Sequence, residues 1–389
     1  MLNFEYYTPT KVFFGKQREN EVGEIIANYG YKKVMLIYGQ GSIKKCGLYD
    51  SVAISLKANN IDFVEMGGVE PNPKIEFVRD AIAVAKKEKV ELVLAVGGGS
   101  VIDAAKYTAL GTVTDYDVWD FVTGKQKPVA ALPVGCILTI AAAGSEMSWS
   151  AVVSDLSLNM KRGLASDLIR PLFAICNPKL TYTVSPYQTA CGISDILAHT
   201  MERYFTPCEP VDITDQIAES IMRSVINAAK VVMQNPCDYE ARANIMWASS
   251  LSHNNLTGCG RINSLPVHQL EHALSGEFDS VAHGAGLAVL FPAWAKYVYT
   301  YNIPRFAQFA RNVWGVVEQD DKLAAQQGII EMSEFFKSIG MPSNMADFGV
   351  SVAAVDKLTD LCTFNNTRAI NSIIELKYDD IKEIFKICF

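Results

Sequence analysis

The chain has 389 residues, 49% hydrophobic and 20% charged, the composition of a soluble globular protein too long for one average core. Its formal charge of −7 sets 35 basic against 42 acidic residues with no long basic run, which excludes a nucleic-acid binder and gives no reason to invoke a membrane surface. Nine scattered cysteines without a CxxC pair, and an opening MLNFEYYTPTK with no basic or apolar leader region, lead to the expectation of a reduced, cytoplasmic protein.

KVFFG (11–15) is a short strand running into a turn, and Val22–Ala27 follows with a helical pattern. KKVMLIYGQGS (32–42) is a continuous apolar run of strand length, the pattern of a strand buried on both faces of a parallel sheet. Leu48–Ala58 reads as helix, Asp62–Met66 as strand, EPNPK (70–74) as turn and Ile75–Glu88 as helix. VELVLAVGGGSVIDAAK (90–106) is strand, glycine turn and helix, and further strands are expected near Val129–Leu132 and Leu172–Cys176. The uncharged stretch 128–145 has the length of a membrane span, but its prolines, glycines and small residues fit a buried strand and turn better.

The alternation of strand and helix predicts a doubly wound, Rossmann-like α/β domain with a mostly parallel sheet over residues 1–184. Ser185-Pro186-Tyr187-Gln188 then starts a helix: serine as N-cap, proline at the first helical position, glutamine three residues after the cap. Beyond it helical patterns run to Phe389, broken at 235–238, at Gly276 and at 340–342, so residues 185–389 are expected to form an all-α domain.

Two turns of the first domain have nucleotide-binding chemistry. Gly97, Gly98, Gly99 and Ser100 link a buried strand to a helix, where backbone N–H groups and the helix dipole favour a phosphate. A triple glycine is also an ordinary tight turn, but ligands of open α/β sheets bind outside the carboxyl strand ends. The turn Gly39, Gln40, Gly41, Ser42 has no carboxylate to repel a 2′-phosphate, and Lys44 and Lys45 are near it, which favours NADP(H) over NAD(H).

Four of the five histidines, His199, His268, His272 and His283, lie in the two stretches 192–202 and 267–286. Asp195/His199 and His268/His272 are four apart, on one helix face in each case. Taken singly, each is an exposed helix residue or a satisfied core histidine. Together they suit a divalent-metal site of mixed nitrogen and oxygen donors. Spacing alone does not say which of His268, His272 and His283 are ligands, and His253 is read as structural.

At full length the chain resembles the iron-containing (group III) alcohol dehydrogenases, in particular the bacterial NADPH-dependent butanol dehydrogenase and aldehyde reductase branch. The resemblance rests on PNP (71–73), GGGSVID (97–103), LTIAAAGSE (138–146), NPKLT (177–181), GISDILAHTME (192–202), HxxxH (268–272) and AHG (282–284). It implies a dehydroquinate synthase-like architecture in which Asp195, His199, His268 and His283 hold Fe2+, or Zn2+, and His272 faces substrate and nicotinamide. It also implies cofactor contacts at Gly97–Ser100, Asp103, Thr139, Ser148, Lys161, Leu180 and Asn72. Departures are Gly39, where NAD-dependent members often have an acidic residue, LTIAAAGS in place of PTTxGTGS, and Ala282 before the last histidine. CTFNNTR (362–368) resembles the family's C-terminal CTxxNPR segment, with Cys362 read as a buried thiol.

The expected function is hydride transfer between NADP(H) and a small primary alcohol or aldehyde such as butanol or butanal, in a homodimer with its site in an interdomain cleft. The alternatives are a zinc-dependent polyol dehydrogenase, a dehydroquinate synthase-like lyase, or a non-catalytic NADP-binding protein. The lyase would need basic residues for a phosphorylated substrate, and only Arg203 and Arg261 lie in or beside the ligand-bearing stretches.

Overall fold

The computed structural model describes residues 1–158 and 160–389. The chain forms two compact units: Tyr7–Thr183, and Val184–Phe389 together with Met1–Tyr6. The first six residues therefore pack with the helical unit instead of the α/β unit to which the expected 1–184 range assigned them, and Leu2 N donates to Gly260 O at 2.8 Å.

The α/β unit is built on β1 (Lys11–Phe14), β2 (Lys33–Gly39), β3 (Asp62–Val69), β4 (Leu92–Gly97), β5 (Val134–Leu138) and β8 (Phe173–Cys176). They form one parallel sheet in the order β1-β8-β5-β4-β2-β3. Val34–Tyr38, Leu92–Val96 and Val134–Leu138 are buried throughout, which is why these strands read as unbroken apolar runs. From β2 the chain goes to β3 on one side and then to β4 on the other. The carboxyl ends of β2 and β4 thus flank a switch point, where doubly wound sheets hold ligands.

The strand expected near Val129–Leu132 lies instead at Val134–Leu138. Pro133 has no N–H to give to a central ladder, so regular pairing starts after it, while its carbonyl still accepts from Val93 N at 3.0 Å. A further antiparallel hairpin, β6 (Ser150–Asp155) with β7 (Met160–Ala165), had no clear sequence signal.

The second unit is helical. Its first helix, Pro186–Tyr204, starts as its sequence dictates: Ser185 Oγ accepts from Gln188 N at 3.2 Å, with Pro186 at the first position. Helix Pro266–Glu277 runs through Gly276 and ends one residue later, and helix His283–Val298 follows. Among the described residues no helix is long and apolar enough to cross a membrane.

Candidate functional site

Helix Pro186–Tyr204 presents Asp195, His199 and Glu202 at spacings of four and three, one face of the helix. Helix Pro266–Glu277 presents His268, Glu271 and His272 in the same way, and His283 opens the third helix. The third helix comes close because Gly284 has no side chain: a Cβ there would lie 2.0 Å from Cys191 O. His283 is thereby brought to the face that bears Asp195.

The centre of the cluster is Asp195 Oδ1. His199 Nδ1 lies 2.8 Å from it, His268 Nε2 3.4 Å and His283 Nε2 3.9 Å. Asp195, His199 and His268 are buried, and His283 is half-buried. Donor atoms of Asp195, His199 and His268 lie within 4.8 Å of one another, as do those of Glu271, His272 and His283. The His272 ring sits at the edge of the group, 5.8 Å from His283 and 6.5 Å from His268 between centroids.

Two carboxylates that the sequence reading did not single out complete the cluster. Glu202 contacts His268 Nδ1, and Glu271 contacts His283 Nδ1. Each thus engages the ring nitrogen opposite the one that approaches Asp195, an arrangement that fixes tautomer and ring orientation in metal-binding histidines. Glu202 also accepts from the backbone N–H groups of Val267 (2.6 Å) and His268 (3.1 Å), so it ties the helices that bear His199 and His268 together. The available signal was spacing: Glu202 and Glu271 each follow a histidine by three residues, within one helix face.

The electrostatics suit a divalent ion. Burial would raise the Asp195 carboxyl, but the surrounding histidines bring it well below the usual carboxylate range. Burial, together with the neighbouring His268, lowers His199 to about 4, which keeps it neutral. Burial also opposes protonation of His268, but the Glu202 charge outweighs it and raises this imidazole to about 9, so an ion must displace a proton there. One ionised carboxylate with imidazole nitrogens 2.8, 3.4 and 3.9 Å from its Oδ1 is a donor set of a kind that suits ferrous iron or zinc. His253 is buried behind this layer, its ring 4.1 Å from that of His199, with Arg203 bridging the two: Nη2 lies 2.8 Å from His253 Nδ1, and Nη1 donates to His199 O.

The other sequence-derived residues lie in the α/β unit. Gly97 ends β4, and Gly99 and Ser100 open helix Gly99–Thr112. A Cβ on Gly97 would meet Val101 at 2.5 Å, and one on Gly98 would meet Ile140 at 3.3 Å, so the turn is closely packed. Thr139 is held beside it, its N–H donating to Gly97 O at 3.0 Å. Asn72 takes a left-handed conformation (φ 51°) in the turn after β3, Lys161 is on β7, and Leu180 packs against the core of the sheet.

Asp103 and Ser148 are buried in an internal polar network. Asp103 accepts from Ser145 Oγ (2.6 Å) and Val152 N (2.9 Å). Fully buried Lys106 donates to Ser145 Oγ, Ser148 O and Ser150 O at 2.8–3.0 Å. These groups brace the segment that follows β5. Gly39, Gln40 and Gly41 line a cavity at the ends of β2 and β3, and Ser42 opens the short helix after them.

A doubly wound unit and a helical unit that bears a carboxylate–imidazole cluster suit a metal-dependent enzyme. Residues 9–178 match the iron-containing alcohol dehydrogenase family model and residues 189–389 match that for the C-terminal part of the Fe-containing alcohol dehydrogenase family. The chain belongs to the iron-containing alcohol dehydrogenases. It is 42% identical to NADH-dependent butanol dehydrogenase A of Clostridium acetobutylicum, over 99% of each chain, and 35% identical to the NADPH-dependent aldehyde reductase YqhD of Escherichia coli, over 92% of each. The crystal structure of NADH-dependent butanol dehydrogenase A from Thermotoga maritima superposes with a TM-score of 0.97 at 39% identity, covering 100% of this chain and 99% of that one.

Proposed function

We propose that the protein interconverts small primary alcohols and aldehydes, butanol and butanal among them, using a divalent ion held by Asp195, His199, His268 and His283 and a nicotinamide dinucleotide. The observation that carries this reading is the convergence of three imidazoles on Asp195 Oδ1, with Glu202 and Glu271 behind two of them. When bound, the ion supplies a Lewis acid for the substrate oxygen, and the nicotinamide supplies or accepts the hydride.

The chain's own residues supply the rest. Asp195 provides the negative charge that the ion needs, and Glu202 and Glu271 keep His268 and His283 turned toward it. His272, half-buried at the edge of the cluster, is positioned to pass a proton to or from the substrate oxygen. The N–H groups of the Gly97–Ser100 turn receive the diphosphate at the start of helix Gly99–Thr112. Arg203 and Arg261, the cations near the ligand stretches, are both buried and bonded internally, Arg203 to His199 O and Arg261 to Asp215, which disfavours a phosphorylated substrate.

The test is metal analysis of anaerobically purified protein together with oxidation of NADH and NADPH in the presence of butanal and shorter aldehydes. Stoichiometric iron or zinc, and coenzyme oxidation that chelation abolishes and the ion restores, is the expected outcome. Full turnover by metal-stripped protein would sink the reading. The NADP(H) expectation rested on a turn without a carboxylate, and the cavity beside that turn bears on it directly.

A further inference from the structure

The carboxyl ends of β2 and β3 border an open pocket of roughly 620 Å³, lined by the Gly39–Gly41 turn, Tyr38, Lys44, Glu65 and the Gly67–Gly68 pair. The β2 turn contributes no carboxylate, but the neighbouring strand does. Glu65 projects from β3 into the space beside Gly39–Gly41, and it is the one carboxylate among the lining residues described.

Its position is built. Gly67 leaves room for the Tyr38 ring, since a Cβ at 67 would lie 2.4 Å from that ring. Tyr38 can therefore lie against β3, and its hydroxyl donates to Glu65 Oε2 at 2.8 Å. Lys44 Nζ sits 3.3 Å from the same oxygen and 4.9 and 4.6 Å from the centroids of the Tyr38 and Tyr49 rings. The Tyr38 hydrogen bond, and after it the Lys44 contact, hold the Glu65 carboxyl below its ordinary range against the opposing effect of partial burial, so it is ionised at neutral pH. Lys44, the one of the two turn lysines that lines the pocket, is already engaged by Glu65.

We propose that Glu65 selects the coenzyme: its carboxylate accepts the 2′-hydroxyl of the adenosine ribose of NADH and repels the 2′-phosphate of NADPH. This rests on the reading above, in which a nicotinamide dinucleotide binds at this end of the sheet. A 2′-phosphate carries nearly two negative charges at pH 7. To be seated here it must pull Lys44 away from Glu65 and then lie against an unneutralised carboxylate. A ribose hydroxyl needs only an acceptor, the role that an acidic residue at the end of a strand fills in many NAD-binding sheets. On this proposal NADH takes the place of the NADP(H) expected from the turn, because the charge that matters comes from the adjacent strand.

Dissociation constants for NADH and NADPH, from coenzyme fluorescence, and butanal kinetics with each coenzyme, are to be measured on the wild-type protein, E65Q and K44A. Glu65 is largely exposed, so E65Q keeps the fold, and its amide oxygen still accepts from Tyr38. The wild-type protein is expected to bind NADH more tightly. E65Q should shift the ratio of the two dissociation constants toward NADPH by about tenfold or more, while K44A shifts it further toward NADH. Two dinucleotides that bind with a ratio unmoved by E65Q, a wild-type protein that binds NADPH more tightly, or a K44A variant whose ratio moves toward NADPH, overturn this inference and leave the proposed function standing. A wild-type protein that binds neither overturns both.

Discussion

Glu202 holds the Nδ1 side of the His268 ring, and the Nε2 side of the same ring lies 3.4 Å from Asp195 Oδ1. One residue of helix Pro186–Tyr204 thus aims a residue of helix Pro266–Glu277 at another residue of the first helix. Replacing Glu202 by Gln keeps the shape and an acceptor for Val267 N–H but removes the charge. Metal affinity is expected to fall by about 10–100-fold with the fold retained. Titration against a competing chelator, with circular dichroism as the control, measures it, and unchanged affinity would count against the orienting role.

The same contact sets a pH dependence. The imidazole of His268 is raised from 6.5 to about 9, so below pH 9 protons compete with the ion for it. Metal affinity is expected to rise with pH up to about 9, and uptake at pH 7 should release a proton, readable by calorimetry in buffers of different ionisation enthalpy. For the metal-free fold, a raised pKa means a contribution that is full below 6.5 and is lost as pH rises through about 9. His199, lowered to about 4, acts in the opposite sense: its contribution is full above 6.5 and is lost as pH falls through about 4. Metal-free protein should therefore be most stable near pH 6.5, and a melting temperature still climbing above pH 8 would contradict this account.

Ligand and relay roles separate by substitution. His268→Ala is expected to abolish both bound metal and turnover. His272→Gln should retain metal within about twofold while lowering turnover by about 100-fold. It should also remove one limb of the pH–rate profile. Loss of metal from the His272 variant would instead place that histidine among the ligands.

Gly284→Ala tests the approach of the third helix. Its Cβ would meet the carbonyl of Cys191, a backbone atom in the helix that bears Asp195, at 2.0 Å. The expected cost is about 3 kcal/mol of stability, with loss of metal as His283 is pushed away. Thermal melts with and without added zinc check it: the variant should show both a lower melting temperature and a smaller shift on adding metal.

Much of the α/β unit was legible because its inner strands β2, β4 and β5 are buried on both faces and helices such as Ile75–Glu88 are amphipathic. The helices Leu48–Ala58 and Ile75–Glu88 match their expected bounds to the residue. The hairpin Ser150–Asp155/Met160–Ala165 was not legible, since SAVVSD and MKRGLA have short, mixed patterns that local periodicity does not resolve. Asp195 and His199 could be paired from spacing because four residues on a helix is a fixed geometry. Glu202 as partner of His268, 66 residues away, could not.

By itself the sequence determined the strand–helix alternation, the capped start at Ser185, the glycine turn at 97–100 and the concentration of histidines, all of which follow from local stereochemistry and composition. Only the tertiary structure decided which carboxylates stand behind the imidazoles and that Glu65 reaches the cavity beside Gly39–Gly41. Both depend on which elements lie side by side, and hydrogen bonds and charges act across space, not along the chain. A turn can be free of acidic residues in sequence and still face a carboxylate from the next strand.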